Sequence, residues 1–238
     1  MKLTQNRLHL MFDPMSGQEK NYFAVLMGDL VNSEKGASAE YHARFNDVVE
    51  QHNKHARRVL ASPLTITLGD EFQGLTRSLV AAVSLARDIR YDLMDHAIDC
   101  RFSVGVVDLQ TPLNTKNAWN MMGPGLAKTR AKLNDKGSNN RYRFSILGQP
   151  LLEQMLEACG ATLTVIEQSW TQTQRLDIRA LLNGATPNKI AKGRGVSVHS
   201  VYKVRASGNF ELYLTQWDAI NEALADLDEM FSMNRPDA

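Results

Sequence analysis

The stretch YFAVLMGD, residues 22–29, decides how the fold is built. Its first six residues are apolar without alternation, and Gly28 and Asp29 end the run. A continuous apolar strand is typical of a sheet that is covered on both faces. The pattern therefore predicts a central strand that carries a carboxylate at its end.

A second stretch, LTITLGDEFQGLT at residues 64–76, predicts a β-hairpin. Leu64–Leu68 alternates as a strand does. Gly69-Asp70 supplies a two-residue turn, in which glycine adopts the required positive φ. The hairpin therefore places a second aspartate at its tip.

The remaining elements give the fold class. The predicted order is β-α-β-β-α-β-α-β, which indicates an α+β fold with a mixed sheet and helices on one face. The other predicted elements of this part are helices at Ala39–Leu60, Ser78–His96 and from Gly123 to Leu133, and strands at Arg101–Val107 and Tyr142–Leu147.

Carboxylates end two of these elements. If the first strand lies beside the hairpin, Asp29, Asp70 and the adjacent Glu71 meet at one edge of the sheet. Neighbouring carboxylates repel one another unless a divalent cation joins them. Mg²⁺ is commonly held by one or two carboxylates together with substrate phosphates. The sequence thus suggests a Mg²⁺ or Mn²⁺ site suited to phosphoryl transfer; the alternative is that Gly-Asp only forms a turn and Asp29 caps a helix.

A family resemblance adds to this hypothesis. AVLMGDLVNSEKG (residues 24–36) and LTITLGDEFQGL (64–75) resemble the two signature stretches of the SatD family of bacterial proteins, and RFSVGVV (101–107) and MMGPGLAKTRAKL (121–133) fit later motifs of that family. SatD-like chains are similar in layout to the ferredoxin-like palm of class III nucleotide cyclases and GGDEF enzymes. By position, the resemblance implies metal ligands at Asp29 and Asp70, a carbonyl contact at Leu30 and a further acidic group at Glu71.

Candidate phosphate-binding residues lie in two places. Cyclases fix ribose and phosphate with a helix that corresponds to Gly125–Leu133, and this chain lacks their Asn there. It offers three cations that can neutralise phosphates, Lys128, Arg130 and Lys132; a solvated basic face is the alternative. Asn32 and Ser33 are candidate donors to a phosphate, or caps for the helix that follows.

The C-terminal part of the chain resembles a DNA-binding unit. TPNKIAKGRGVSVHSVYK, residues 186–203, resembles the helix-turn-helix of sigma-factor region 4. Residues 172–208 contain seven basic residues and one acidic residue, the local excess of charge that phosphate binding needs. A protein-interaction or dimerisation module is the alternative. The residues predicted to contact DNA, within residues 186–206, are Arg194, Ser197, His199, Ser200, Lys203 and Arg205.

These patterns divide the chain into four segments: a flexible arm at 1–20, a palm-like α/β domain at 21–150, a connector at 151–171, and an all-α helix-turn-helix domain with a C-terminal helix at 172–238. A short strand is predicted within the connector, at Ala161–Ile166. Glu211–Met230 is predicted to form a long amphipathic helix that either covers this unit or forms the seam of a homodimer.

Composition narrows the classes of protein. The 238 residues carry a net charge of +1, so any nucleic-acid surface must be local. The two cysteines, Cys100 and Cys159, lie far apart, which favours a reducing compartment. The sequence has no apolar run long enough for a signal peptide or a transmembrane helix. A cytoplasmic protein with no membrane association is expected.

Three functions follow. The first is a nucleotide- and metal-binding regulator of transcription that binds DNA. The second is a metal-dependent nucleotide cyclase or nucleotidyltransferase-like enzyme. The third is an inactive palm that serves as a dimerisation scaffold.

Overall fold

A computed structural model describes residues 20–31, 39–67 and 69–233 of the chain. In this part, one sheet has the spatial order β2-β3-β1-β4-β5. All neighbouring strands are antiparallel except β4 and β5, which are parallel, so the predicted mixed sheet is confirmed. The strands are β1 (Tyr22–Leu30), β2 (Leu60–Ile66), β3 (Glu71–Thr76), β4 (Cys100–Asp108) and β5 (Tyr142–Ser145).

The described helices occupy the intervals between the strands and the C-terminal part of the chain. Up to β5 their order agrees with the sequence-based prediction. They are α1 (Ala39–His55), α2 (Leu79–Asp95), α3 (Leu126–Asn134), α4 (Pro150–Ser169), α5 (Gln172–Leu182), α6 (Pro187–Arg194), α7 (Val198–Ser207) and α8 (Phe210–Met230).

The first helix and the second strand differ from the prediction. Helix α1 ends at His55, and the chain is already extended at Leu60. Pro63 lies inside β2, which is an edge strand with irregular register on either side of Ser62. An edge strand accepts proline because one side of its backbone needs no sheet partner.

The sheet is covered on both faces, so the prediction of helices on one face was wrong. Ala24 and Leu26 of β1 belong to the cluster that contains the buried residues of α1 and α2. Val25 and Met27 point the other way and pack with Leu133 of α3. The physical reason is the apolar run of β1, which has buried side chains on both faces.

Helix α4 is continuous, and the strand predicted at Ala161–Ile166 does not form. Leu156, Gly160, Leu163 and Glu167 are buried at helical spacing along it. At Gly160 the helix lies so close to β5 that an added Cβ would be 2.3 Å from the Tyr142 carbonyl oxygen. The alternating apolar pattern of Ala161–Ile166 therefore does not produce a strand, because the segment packs against β5 as part of a helix.

Helix α8 completes the main core. Its residues Trp217, Ile220, Leu224 and Leu227 lie in the same cluster as the sheet and α2. Helices α5 to α7 also have a small cluster of their own around Ile190, Ala191 and Val201. The predicted boundary between two domains at the connector, residues 151–171, stays a prediction. The flexible arm predicted at residues 1–20 also stays a prediction, because residues 1–19 lie outside the described part of the chain.

None of the described helices combines the length and the apolar character needed to cross a bilayer.

Candidate functional site

The candidate site lies where β1 ends between β3 and β4. Asp29 pairs with Glu71 on β3 and with Arg101 on β4, so the three side chains share one face of the sheet. The Arg101 Nε atom is 3.3 Å from Asp29 Oδ2. The edge of the sheet thus brings together two carboxylates and one guanidinium.

The tip of the hairpin places Asp70 beside this edge. The Leu30 N–H donates to the Asp70 carbonyl oxygen at 3.0 Å, which joins the tip to the end of β1. The Thr67 N–H donates to the Glu71 carbonyl at 2.9 Å, so the loop encloses residues 68–70, one more than the predicted two-residue turn. Gly69 has φ +82, in the left-handed region expected for it.

Burial and neighbouring charge perturb Asp29 strongly. Desolvation is the largest cause, and together with the repulsion from Asp70 and Glu71 it raises the pKa of Asp29 from 3.8 to about 6. The positive charges of Arg101 and Lys136 oppose this increase. Burial and acidic neighbours destabilise the ionised form of Asp29, so an additional positive charge beside it would stabilise the carboxylate.

Polar atoms on the same face of β4 lack partners. Arg101 Nη1 and Ser103 Oγ are buried and form no hydrogen bond within the part of the chain that the structure describes, and Arg101 Nε has only its ion pair with Asp29. A buried donor that stays unpaired costs about 1–3 kcal/mol. Such donors beside an acidic edge are suited to an oxyanion that would complete their bonding.

Helix α3 brings one of its three predicted phosphate-binding residues to this edge. Arg130 Nη1 donates to Glu71 Oε2 at 2.8 Å, and Nη2 donates to Gln73 Oε1 at 3.0 Å. Lys132 instead pairs with Glu153 and Glu157 of α4 at 2.8 and 3.3 Å. Lys128 is exposed on the outer side of the helix. Asn32 and Ser33 lie outside the described residues.

Sequence reasoning missed Arg101, Ser103, Gln73 and Lys136. The polar residues in the otherwise apolar strand RFSVGVV were a usable signal for Arg101 and Ser103. Their relation to Asp29 depends on the register of β1 against β4, which the sequence does not provide.

The acidic edge fits a divalent cation of the Mg²⁺ type. Among the described residues, no group of three His, Cys, Asp or Glu side chains forms a closed metal site. Mg²⁺ does not require one, since it often uses one or two carboxylates and takes its other ligands from substrate phosphates and water. Asp29 and Asp70 remain the predicted carboxylate ligands, with the Leu30 carbonyl and Glu71 as predicted further contacts.

The residues predicted to bind DNA lie in α6, in α7 and between them. Gly195 ends α6 with φ +66, and the Ser197 hydroxyl accepts from the Ser200 N–H to cap α7. His199 and Lys203 are exposed on α7. The predicted excess of charge is partly neutralised, because three arginines are bound to carboxylates: Arg194 to Asp177, Arg205 to Glu211, and Arg179 to Asp92 and Asp95.

Comparison with protein families identifies one match, to the family model described as SatD family, over residues 22–222. No curated protein matches the chain.

Several solved structures have a similar arrangement. The guanylyl cyclase domain of the RhoGC fusion protein from the aquatic fungus Blastocladiella emersonii is 18% identical, with a TM-score of 0.38, covering 50% of this chain and 76% of that chain. The guanylate cyclase domain of RhGC from Catenaria anguillulae, in complex with GTP, is 17% identical, with a TM-score of 0.36 and coverage of 50% and 75%. A bacterial light-regulated adenylyl cyclase is 15% identical, with a TM-score of 0.36 and coverage of 54% and 44%. The chain is thus similar to nucleotide cyclase domains over about half of its length.

Proposed function

The chain belongs to the SatD family, and we propose that its sheet edge at Asp29 and Asp70 binds a nucleoside triphosphate together with Mg²⁺ or Mn²⁺. The observation that carries the proposal is the buried Asp29 carboxylate. Its pKa of about 6 reflects burial and two acidic neighbours, and Arg101, whose buried Nη1 has no hydrogen-bond partner among the described residues, lies beside it. A cation with bound phosphates supplies positive charge to the carboxylates and acceptors to the arginine.

Each group at the edge has a separate part in this proposal. Asp29 and Asp70 would hold the cation, which would supply neutralisation of phosphate charge. Arg101 now lies against Asp29 and serves as its counter-ion. When phosphates bind, Arg101 and Ser103 donate to them, and the exposed Lys136 adds a second positive charge.

We further propose that the bound nucleotide undergoes metal-dependent phosphoryl transfer of the cyclase or nucleotidyltransferase type. The arrangement supports positioning and charge neutralisation, which are the main requirements of phosphoryl transfer. Arg130 is held by Glu71 and Gln73. This contact joins α3 to β3 beside the proposed site.

The test is thermal unfolding of the full chain with each nucleoside triphosphate, with and without Mg²⁺ or Mn²⁺. A ligand that binds the native state raises the melting temperature. We expect a metal-dependent increase with at least one nucleotide, lost in Asp70→Asn and kept in Asp47→Asn, an exposed control on α1. Product analysis with that nucleotide then tests turnover, which Asp29→Ala should abolish. No increase with any nucleotide contradicts the proposal.

A second candidate function is DNA binding through residues 186–206. It is favoured by the tight junction of α6 and α7 at Gly195 and by the exposed Lys189, Lys192, His199 and Lys203. Regulation of transcription in response to a nucleotide requires both sites.

Charge reversal tests this second function. Lys189→Glu with Lys203→Glu should weaken DNA binding and reduce its dependence on salt, because each lysine releases counterions from phosphates. Arg58→Glu is the control, because Arg58 is exposed and is distant in sequence from residues 186–206. Equal binding by all three proteins contradicts a role for α6 and α7.

A further inference from the structure

Trp119 differs from the two other tryptophans of the chain in its exposure to solvent. Its exposed fraction is 49%, whereas Trp170 and Trp217 are 6% and 2% exposed. Both buried rings pack against Tyr213. The Trp119 indole makes no ring contact with any residue that the structure describes. A large flat ring that stays in water without a partner is available to a ligand.

The loop that carries Trp119 is held in shape by side-chain hydrogen bonds. Asn114 Oδ1 accepts from the N–H groups of Lys116 and Asn117 at 3.0 and 3.2 Å. Asn114 Nδ2 donates to the Trp119 carbonyl oxygen at 3.2 Å, and Asn117 Oδ1 accepts from the Trp119 N–H at 3.3 Å. Asparagines that bond the backbone nearby in this way fix the shape of a turn. The loop thus holds the backbone of Trp119 and leaves its ring in solvent.

Two hydrogen bonds join this loop to the strands beside the candidate site. The Ala118 N–H donates to Thr65 Oγ1 on β2 at 2.9 Å, and the Ala118 carbonyl oxygen accepts from Gln73 Nε2 on β3 at 2.9 Å. Gln73 lies two residues from Glu71 on the same face of β3, a separation of about 7 Å along the strand. The residue before Trp119 is therefore attached one strand repeat away from the acidic edge.

We propose that Trp119 is the platform on which the base of the nucleoside triphosphate stacks, an inference that rests on the proposed function of the acidic edge. The edge offers charged groups to a metal and to phosphates, and Trp119 offers the aromatic face that a nucleobase stacks on. A nucleotide carries both kinds of group, separated by a ribose. The ligand would thus extend from Asp29 towards Trp119 along one face of the sheet.

The surroundings of the ring favour a small ligand over a protein partner. Within residues 110–122, Met122 is the other large apolar side chain that is exposed, and the neighbouring Lys116 and Asn120 are exposed polar residues. Specific protein interfaces bury at least about 1,200 Å² around an apolar centre, which one indole and one thioether do not supply. A single ring is sufficient to stack a single base.

The first test is calorimetric titration of the full chain with Mg²⁺ or Mn²⁺ present. The probes are ATP, GTP, CTP and UTP, and inorganic tripolyphosphate, which has no base. We expect Trp119→Ala to weaken the nucleotide that binds on the order of 10- to 100-fold, the contribution of one base–aromatic stack, and to leave tripolyphosphate binding unchanged. Leu151→Ala, at a residue of α4 that is 71% exposed, is the control and should change neither affinity.

The outcomes separate this inference from the proposed function. Equal affinity of the wild type and Trp119→Ala for the nucleotide overturns the platform, while the site at Asp29 and Asp70 stands. If the wild type binds neither nucleotide nor tripolyphosphate with either metal, the site itself is contradicted and the platform falls with it. Asp70→Asn should weaken both kinds of probe, whereas Trp119→Ala should remove only the contribution of the base.

Tryptophan emission provides an independent readout. A base that stacks on Trp119 should quench its emission, and tripolyphosphate should not, because it has no aromatic ring. Trp119→Phe should keep most of the nucleotide affinity, since phenylalanine also offers a ring, and should lose the quenching, since Trp170 and Trp217 are buried. Nucleotide binding that leaves the emission of the wild type unchanged overturns the inference.

Discussion

Asp29 combines burial, two acidic neighbours and one cationic partner, and this combination governs its titration. Its folded-state pKa of about 6 exceeds the ordinary value of 3.8. The folded chain therefore holds the Asp29 proton more tightly than the unfolded chain does. The contribution of this group to stability is present at low pH and is lost as pH rises towards about 6.

Asp29→Asn isolates this effect. Between about pH 4 and pH 7 the wild type should lose stability relative to the variant by up to roughly 3 kcal/mol, since the variant has no carboxyl group to ionise. Urea unfolding of both proteins at several pH values measures the difference. Stability profiles that stay parallel across this range contradict the raised pKa.

The junction of α3 with the sheet depends on Gly125. This residue has φ +105, and a Cβ there would be 1.9 Å from the Val106 carbonyl oxygen. Gly125→Ala should therefore cost more than about 3 kcal/mol, because the backbone of α3 must move away from β4. Chemical unfolding measures the loss. Gly137→Ala, where a Cβ meets only Asp135 Oδ1 at 3.4 Å, is the control and should change stability little.

The side chain of Asp228 on α8 caps the start of α2. Asp228 accepts from the Leu79 N–H at 2.6 Å and from the Val80 N–H at 3.2 Å, at the start of α2. Asp228→Ala should cost about 1–3 kcal/mol, because the buried Leu79 N–H and the partly buried Val80 N–H lose their acceptor. The exposed Asp226→Ala on the same helix is the control. Equal unfolding midpoints for the two variants would show that the cap contributes nothing.

Local patterns predicted most of these elements. The unalternating run at Tyr22–Met27 and the turn at Gly69-Asp70 were sufficient to predict β1 and the hairpin. The meeting of Asp29 with Glu71 was predicted on the condition that β1 lies beside the hairpin, and the pairing of β1 with β3 meets that condition. Arg101 could not be placed, because its approach to Asp29 depends on strand register. The strand predicted at Ala161–Ile166 was wrong because Leu163 and Ile166 follow helical spacing in the core. Long-range packing, which local patterns do not contain, decided both cases.

At the scale of the whole molecule, a buried network joins the sheet to the C-terminal helices. Glu167 of α4 accepts from Tyr142 of β5 at 2.7 Å, from Tyr213 of α8 at 2.6 Å, and from Arg90 of α2. Its side chain is completely buried. Four elements that are distant in sequence therefore share one carboxylate.

Glu167→Gln should destabilise the whole chain. The substitution removes one of the two carboxylates that balance Arg90, the other being Asp99, and breaking a buried pair costs up to about 3–5 kcal/mol. Far-UV circular dichroism and tryptophan fluorescence should shift together, because the sheet and α8 share the network. Glu229→Gln on the exposed side of α8 is the control. Two separate transitions, only one of them shifted, would support independent domains instead.

The contact between Tyr22 at the start of β1 and Phe231 just beyond α8, with ring centroids 4.8 Å apart, has a consequence for biosynthesis. A ribosome makes β1 early and α8 late. One face of the sheet must therefore stay without part of its apolar cover while the intervening residues are being translated. Nascent chains with exposed apolar surface are prone to aggregate. The sheet of this protein can finish folding only after α8 has left the ribosome. We therefore expect chaperones to bind the nascent chain until then.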